Sequence, residues 1–196
     1  MRSLLLTAMV LMLTLVGGCG SSPTASFYTL SPQRPQEQVD TVTTPVAITI
    51  GIVTVPDIVD RPQLVLRVDA NQVTLAEFDR WADPLKSQIR RVIAADLALQ
   101  FPGALVSGYA QNVDPASTYV VSIDLQSFES APGDAASVTV LWSVRPPKLG
   151  APMNGRTVVH EPTGGAGDDA LVAAHSRALA VVSRDIATAL RSTLRQ

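Results

Sequence analysis

The feature that most constrains the fold is the order of two hydrophobic periodicities along the chain. Two stretches repeat apolar residues every three to four positions, as amphipathic helices do, and each follows segments in which apolar and polar residues alternate, as in strands. The first helix is predicted to begin with Asp83 as its N-cap and Pro84 at its first helical position, and to stop at 101–103. The second is predicted to begin at Asp168 or Asp169. This order predicts an α+β fold: an antiparallel or mixed sheet with two amphipathic helices packed on one face.

The strands are indicated by β-branched runs and by alternation. Residues 46–55 form a β-branched run between two prolines and predict a well-buried strand. Trp81, just ahead of the first helix, is predicted to be buried at one end of the helix–sheet interface. The other predicted strands are a hairpin of residues 64–68 and 72–75, then 119–125, 138–144 and, shorter than these, 156–161.

The N-terminus has the parts of a secretory signal peptide. Arg2 is followed by the uncharged apolar run 4–16, and small residues precede Cys19. The thirteen residues of this run reach about 20 Å in a helix, which is short of the ~30 Å hydrocarbon core of a bilayer. The run is therefore not a permanent transmembrane helix.

Residues 16–19, Val-Gly-Gly-Cys, resemble a bacterial lipobox, whose cysteine is acylated and becomes the new N-terminus. The resemblance implies that lipid is attached to Cys19, the chain's single cysteine. Because two or more acyl chains anchor a protein stably, it also implies a periplasmic protein tethered to a membrane. The alternative is a buried structural cysteine behind an ordinary signal peptide.

These features divide the chain into three parts: residues 1–18 are a signal peptide, 19–45 a lipidated tether, and 46–196 a single α+β domain. The tether is rich in proline and polar residues, which favour a flexible linker. It contains one apolar patch, residues 27–30. That patch is either an apolar segment of a flexible linker or a short strand that docks on the domain and fixes where the tether leaves it.

Composition and motifs argue against several function classes. Without Arg2, the one charged residue of the signal peptide, the chain has 14 basic and 17 acidic side chains, a balance that disfavours nucleic-acid binding. The two histidines, His160 and His175, are fifteen positions apart, and both are predicted to be surface or rim residues rather than metal ligands. No G-x-S-x-G or phosphate-binding loop occurs. We predict no catalytic residue, no metal and no cofactor beyond the lipid on Cys19.

The loop of residues 56–62 is the predicted partner-binding segment, because prolines at both ends stiffen it. Ile58 and Val59 are expected to form an apolar tip, with Asp60 and Arg61 on a charged rim. In the alternative interpretation, Ile58 and Val59 fold inward while Asp60 and Arg61 pair to fix the turn.

Short segments in a fixed order carry a family resemblance. After the lipobox come F-Y-T-L at 27–30, D-R-P-Q-L-V at 60–65 and A-E-F-D-R-W-A-D-P-L at 76–85. This order resembles the ABC-type transport auxiliary lipoproteins, the family of PqiC-like (paraquat-inducible protein C) proteins. The resemblance implies a non-enzymatic auxiliary subunit of a transenvelope lipid-transport system, anchored at the periplasmic face of the outer membrane.

The partners that this resemblance implies are an MCE-domain protein and an inner-membrane permease, and the chain is a possible homo-oligomer. Two other function classes stay open at this stage. A small ligand-binding or hydrolytic lipoprotein would have a convergent pocket containing Ser, His and Asp. A purely structural envelope lipoprotein would have no transporter partner.

Overall fold

The computed structural model describes residues 23–34, 46–109, 114, 116–147 and 150–194, and Cys19 lies outside them. Within these residues, eight strands form one mixed sheet, and two helices pack on one of its faces. The strands are β1 (Ser26–Tyr28), β2 (Ala47–Thr54), β3 (Gln63–Arg67), β4 (Val73–Trp81), β5 (Leu105–Ser107), β6 (Thr118–Ser130), β7 (Ala135–Arg145) and β8 (Met153–Pro162). The helices are α1 (Leu85–Gln100) and α2 (Asp168–Leu194). The predicted fold class is confirmed.

The long strand β6 organises the sheet. Strands β2 and β3 pair with it in parallel, whereas β7 runs antiparallel to it and β8 antiparallel to β7. On the other side, β3 pairs with β4 in the predicted hairpin, and β1 adds to β4 in parallel. The sheet is therefore mixed, since the parallel pairs sit beside the antiparallel hairpins.

One continuous core lies between the helices and the sheet. The alternation predicted for β6 buries Val121, Ile123 and Leu125 on the helix side. The helical stripes meet these strand residues and remove their apolar surface from water, which is the main force that holds the layers together. The fully buried helix residues include Leu85, Ile89, Ile93, Leu97, Leu171, Leu179 and Ile186.

Trp81 closes the core where β4 ends. Its side chain is 6% exposed, and its ring lies edge-on to Phe128 with a centroid separation of 6.1 Å. The Trp81 backbone N–H donates to the carbonyl of Pro62 at 2.7 Å. The predicted burial of Trp81 is confirmed.

A hydrogen-bond chain joins β7, β8 and α2. Trp142 Nε1 donates to Thr157 Oγ1 at 3.0 Å, and the Thr157 hydroxyl donates to Asp185 Oδ2 at 2.6 Å. Gly155 lies opposite Trp142 in the strand pairing, and a Cβ added there would come within 2.1 Å of the indole. The space above Gly155 is therefore what lets the indole reach Thr157.

Two sequence-based expectations need correction. Asp83 does not cap α1 with its side chain: Pro84 holds the cap position without a side-chain cap bond, and Asp83 pairs with Arg91 at 3.0 Å. His175 is wholly buried instead of lying at the surface, whereas His160 is exposed as predicted. Sequence spacing did not reveal the burial of His175 because an isolated histidine in a helical stripe fits either environment.

Candidate partner-binding surface

The loop of residues 56–62 is held in shape by its own backbone. The Val59 N–H donates to the Pro56 carbonyl at 3.0 Å, and the Asp60 N–H donates to the Asp57 carbonyl at 3.3 Å. These turns direct neighbouring side chains to opposite sides: Val59 is 5% exposed and belongs to the core, whereas Ile58 is 51% exposed. The predicted two-residue tip is thus wrong for Val59, and Ile58 alone forms it.

The charged residues of the loop do not form the pair that the alternative interpretation required. Asp60 instead accepts from Lys86 Nζ at 2.6 Å, which ties the loop to the first turn of α1. Both side chains are more than a third exposed, so this ion pair contributes little to stability. Arg61 Nε is buried and has no hydrogen-bond partner among the described residues. The structure thus agrees with the predicted position of the loop between two strands but not with the predicted directions of its side chains, and the partner-binding role of the loop stays a prediction.

A small cleft of about 140 Å³ opens beside Ile58. Pro56, Val65 and Val73 are among its apolar lining residues. At its rim, Arg67 pairs with Glu129 at 2.9 Å. An apolar cleft with a charged rim has the make-up of a modest protein interface, in which one inserted side chain supplies much of the affinity.

The apolar patch of the predicted tether belongs to the folded domain. Strand β1 pairs with β4, and the Tyr28 carbonyl accepts the N–H of Ala82 at 2.9 Å. Leu30, which follows, is 3% exposed. The interpretation of this patch as a docked strand is confirmed, because its edge pairing and its buried leucine both fix it on the domain.

Residues 29–33, which we call the N-terminal strap, cross the two helices after β1. The strap donates backbone N–H groups to three buried side chains: Leu30 to Gln88 Oε1 at 2.8 Å, Ser31 to Ser176 Oγ at 3.1 Å and Gln33 to Asp96 Oδ1 at 2.8 Å. Sequence reasoning missed these partners. Polar residues within an apolar helical stripe are the signal that could have found them, because such residues are buried only where they meet a partner.

Asp96 is the most unusual of the strap's partners. It is 1% exposed, and burial raises the pKa of its carboxyl to about 6, although hydrogen bonds from Gln33 and Ser183 oppose the rise. The Ser183 hydroxyl lies 3.1 Å from Asp96 Oδ2 and 2.9 Å from the Leu179 carbonyl. One hydroxyl proton cannot serve both acceptors, whereas a protonated Asp96 would donate to Ser183 and satisfy all three groups.

A second cleft, of about 230 Å³, lies where the strap ends. Arg34, Arg177 and Arg184 line it together with Asp96 and Glu161. Arg177 is already engaged, since its Nε donates to Glu161 at 2.6 Å. The cleft is smaller than the roughly 300–1,000 Å³ of typical small-molecule sites, and its charges are of both signs.

Ser130 and His175 form the only described Ser–His pair in the core, with Ser130 Oγ 2.8 Å from His175 Nε2. Phe128 stacks on the imidazole at 3.8 Å between ring centroids. Burial lowers the pKa of His175 to about 3, and its Nδ1 has no hydrogen-bond partner among the described residues. A catalytic base needs an orienting acceptor and a pKa near neutrality, so this pair lacks the geometry of a hydrolytic triad.

The described ranges contain neither a metal-ligand cluster nor a membrane-spanning helix. No group of three or more His, Cys, Asp or Glu side chains in them is placed to hold a metal ion. None of their helices is long and apolar enough to cross a membrane. The predicted lipid-attachment residue, Cys19, falls outside these ranges.

Comparison with protein families decides what kind of protein carries this surface. The model for the ABC-type transport auxiliary lipoprotein component matches residues 28–187, from β1 through most of α2. The chain belongs to the ABC-type transport auxiliary lipoprotein family. The resemblance drawn from the sequence motifs is confirmed, and the matched region of this auxiliary lipoprotein includes the strap and the loop of residues 56–62.

Solved structures share the fold of this auxiliary lipoprotein. The crystal structure of an uncharacterized protein aligns with a TM-score of 0.72 and 21% identity over 86% of this chain and 99% of its own. Protein XCC0632 from Xanthomonas campestris, of the family model DUF330, aligns with a TM-score of 0.62 and 16% identity over 83% of this chain and 92% of its own. No protein of curated function matches the sequence significantly.

Proposed function

We propose that this auxiliary lipoprotein is a non-enzymatic subunit of a transenvelope lipid-transport system, held at the periplasmic face of the outer membrane by lipid on Cys19. Its proposed partner is an MCE-domain protein that works with an inner-membrane permease. The family match over residues 28–187 carries the auxiliary role. The lipobox at residues 16–19 supports the anchor.

The contact with the partner is proposed to centre on Ile58. This side chain is half exposed on a loop whose backbone hydrogen bonds hold it in place. A pre-formed loop loses little conformational freedom on binding, so more of the contact energy appears as affinity. The apolar cleft beside Ile58 would receive a side chain of the partner.

A hydrolytic role is the weaker proposal. In the core, the observation that favours it is the Ser130–His175 hydrogen bond; a second Ser–His hydrogen bond, between Ser137 and His160, is exposed. A histidine whose pKa is lowered to about 3 is a poor proton acceptor at neutral pH, and both side chains are almost wholly buried. We therefore assign this pair to the packing of α2 on the sheet.

The contact is tested by affinity capture of the tagged full-length chain from its own cells, with captured proteins identified by mass spectrometry. Ile58→Asp should lower recovery of the MCE-domain protein about tenfold or more, because a charge would replace a central apolar contact. Val158→Asp is the matched control, since Val158 is 60% exposed on β8, across the sheet. Equal recovery with both variants would place the contact elsewhere.

A further inference from the structure

The chain has four phenylalanines, and they divide into two pairs. Phe101 and Phe128 are buried, at 0% and 5% exposed. Phe27 and Phe78 are 65% and 44% exposed, so both present apolar rings to solvent. Clustered exposure of large apolar side chains, unlike single exposed residues, marks an interaction surface.

The two exposed rings are neighbours at one edge of the sheet. Strand β1 pairs with β4 so that Phe27 lies opposite Arg80, and Phe78 is two residues before Arg80 on β4. On paired strands about 4.8 Å apart that rise about 3.3 Å per residue, residues offset by two positions lie about 8 Å apart. Phe27 and Phe78 therefore form one patch, which we call the aromatic edge.

Through Phe27, the aromatic edge lies close along the chain to the proposed anchor. Ser26, the first residue of β1, follows Cys19 by seven positions. Seven extended residues span at most about 25 Å. Because β1 is hydrogen-bonded to β4 and followed by the buried Leu30, this edge cannot move away from the domain.

We propose that Phe27 and Phe78 insert into the headgroup region of the bilayer that holds the lipid on Cys19, and so set the orientation of the domain. This inference rests on the anchor of the proposed function. A short tether gives the aromatic edge an effective concentration of the order of millimolar at the bilayer, so even a weak apolar contact is occupied. The charged neighbours on β4 are of both signs, Glu77, Asp79 and Arg80. Apolar insertion, rather than attraction to anionic lipid, therefore holds the edge, and added salt will not release it.

The test uses the acylated full-length chain in vesicles of phosphatidylethanolamine and phosphatidylglycerol. Since Cys19 is the sole natural cysteine and its sulfur is blocked by lipid, Phe27→Cys and Phe78→Cys each provide one site for an environment-sensitive fluorophore. Val158→Cys is the matched control, because Val158 is also exposed but lies on β8 at the other side of the sheet.

We expect the probes at positions 27 and 78 to be quenched by spin-labelled lipid and to be several-fold less accessible to iodide than the probe at 158, at low and high salt. Iodide access equal at all three positions would overturn the proposal. Protection of the probes from iodide that disappears at one protein copy per vesicle would also overturn the proposal, because a second copy of the chain, and not the bilayer, would then cover the aromatic edge.

Intact mass and vesicle flotation distinguish a failure of the proposed bilayer contact from a failure of the proposed lipid attachment at Cys19. A chain that carries acyl mass and floats with vesicles, but whose probes at 27 and 78 stay exposed, overturns only the aromatic edge. A chain without acyl mass overturns the anchor, and with it the reason for placing this edge at a bilayer.

Discussion

The carboxylate of Asp96 accepts the backbone N–H of Gln33 at 2.8 Å, so a buried side chain of α1 holds the N-terminal strap across the helices. Gln88 and Ser176 hold the same segment at two further points. Strand β1 and the strap, the first described segments after the proposed lipid-attachment residue, are thus both fixed on the domain. The strap belongs to the folded unit, although its sequence has the composition of a linker.

Asp96→Asn should stabilise the protein at neutral pH. The pKa of Asp96 is raised to about 6 in the folded protein from an ordinary 3.8. The folded state therefore binds the proton more tightly, and stability is highest below about pH 4 and falls as pH rises through 6. Two pKa units correspond to about 3 kcal/mol, and an asparagine keeps the oxygen that Gln33 requires.

Urea unfolding at several pH values checks this prediction. The urea concentration at the wild-type unfolding midpoint should decrease as the pH is raised from 4 to 7. Asp96→Asn should remove the part of this decrease that is due to Asp96. Glu77→Gln, the same charge change at an exposed position of β4, should leave it in place. A less stable Asp96→Asn protein at pH 7.5 would show that the carboxylate itself is required.

Trp81→Ala should destabilise the domain by about 3–5 kcal/mol, because it opens a cavity against Phe128 at the end of the core. Trp81→Phe should cost much less, since it keeps most of the apolar contact. The free energy of unfolding from urea titration measures both changes. Equal stability of the alanine variant and the wild type would contradict the burial of Trp81.

Gly155→Ala should cost about 1–3 kcal/mol, because the new methyl group overlaps the Trp142 ring and forces it to move. The displaced indole would lose its hydrogen bond to Thr157. The control is Gly165→Ala, whose Cβ would meet only Ala170 at an ordinary 3.4 Å. Thermal unfolding and tryptophan fluorescence of the two variants should differ; identical melting would mean that Trp142 is not confined by β8.

Periodicity predicted the elements of this fold well and its polar contacts poorly. The stripe that contains Ile89 and Val92 predicted α1, and alternation around Val121 predicted β6, because both patterns report the side facing the core. Gln88 and Asp96 lie within the α1 stripe, but their partners are backbone groups of a segment far away in sequence. Such pairing depends on tertiary structure, which no local pattern contains.

For the candidate site, too, the sequence predicted the structural element but not the contacts of its side chains. Two prolines marked the loop of residues 56–62 as a rigid element, yet the sequence did not predict which of Ile58 and Val59 faces solvent. That choice follows from the turn hydrogen bonds of Val59 and Asp60. Likewise, Asp60 pairs with Lys86, which is remote in the chain, rather than with adjacent Arg61.

Cys19→Ser should abolish the proposed anchor, because Cys19 is the chain's one thiol and therefore its one site for thioether-linked lipid. Intact mass should show acyl mass on the mature wild type and none on the variant. In fractionated cells, the variant should leave the outer membrane. Wild-type protein without acyl mass would contradict the lipoprotein assignment of Cys19.

Site-specific photo-crosslinking in living cells tests the central claim most directly. A photoreactive amino acid placed at Ile58 of the acylated full-length chain should give an adduct with an MCE-domain protein, identified by mass spectrometry. The same amino acid at Val158 should not, since that side chain is equally accessible but lies across the sheet. If neither position yields a transporter subunit, or if both yield the same abundant envelope proteins, this chain does not bind a transporter through the loop of residues 56–62.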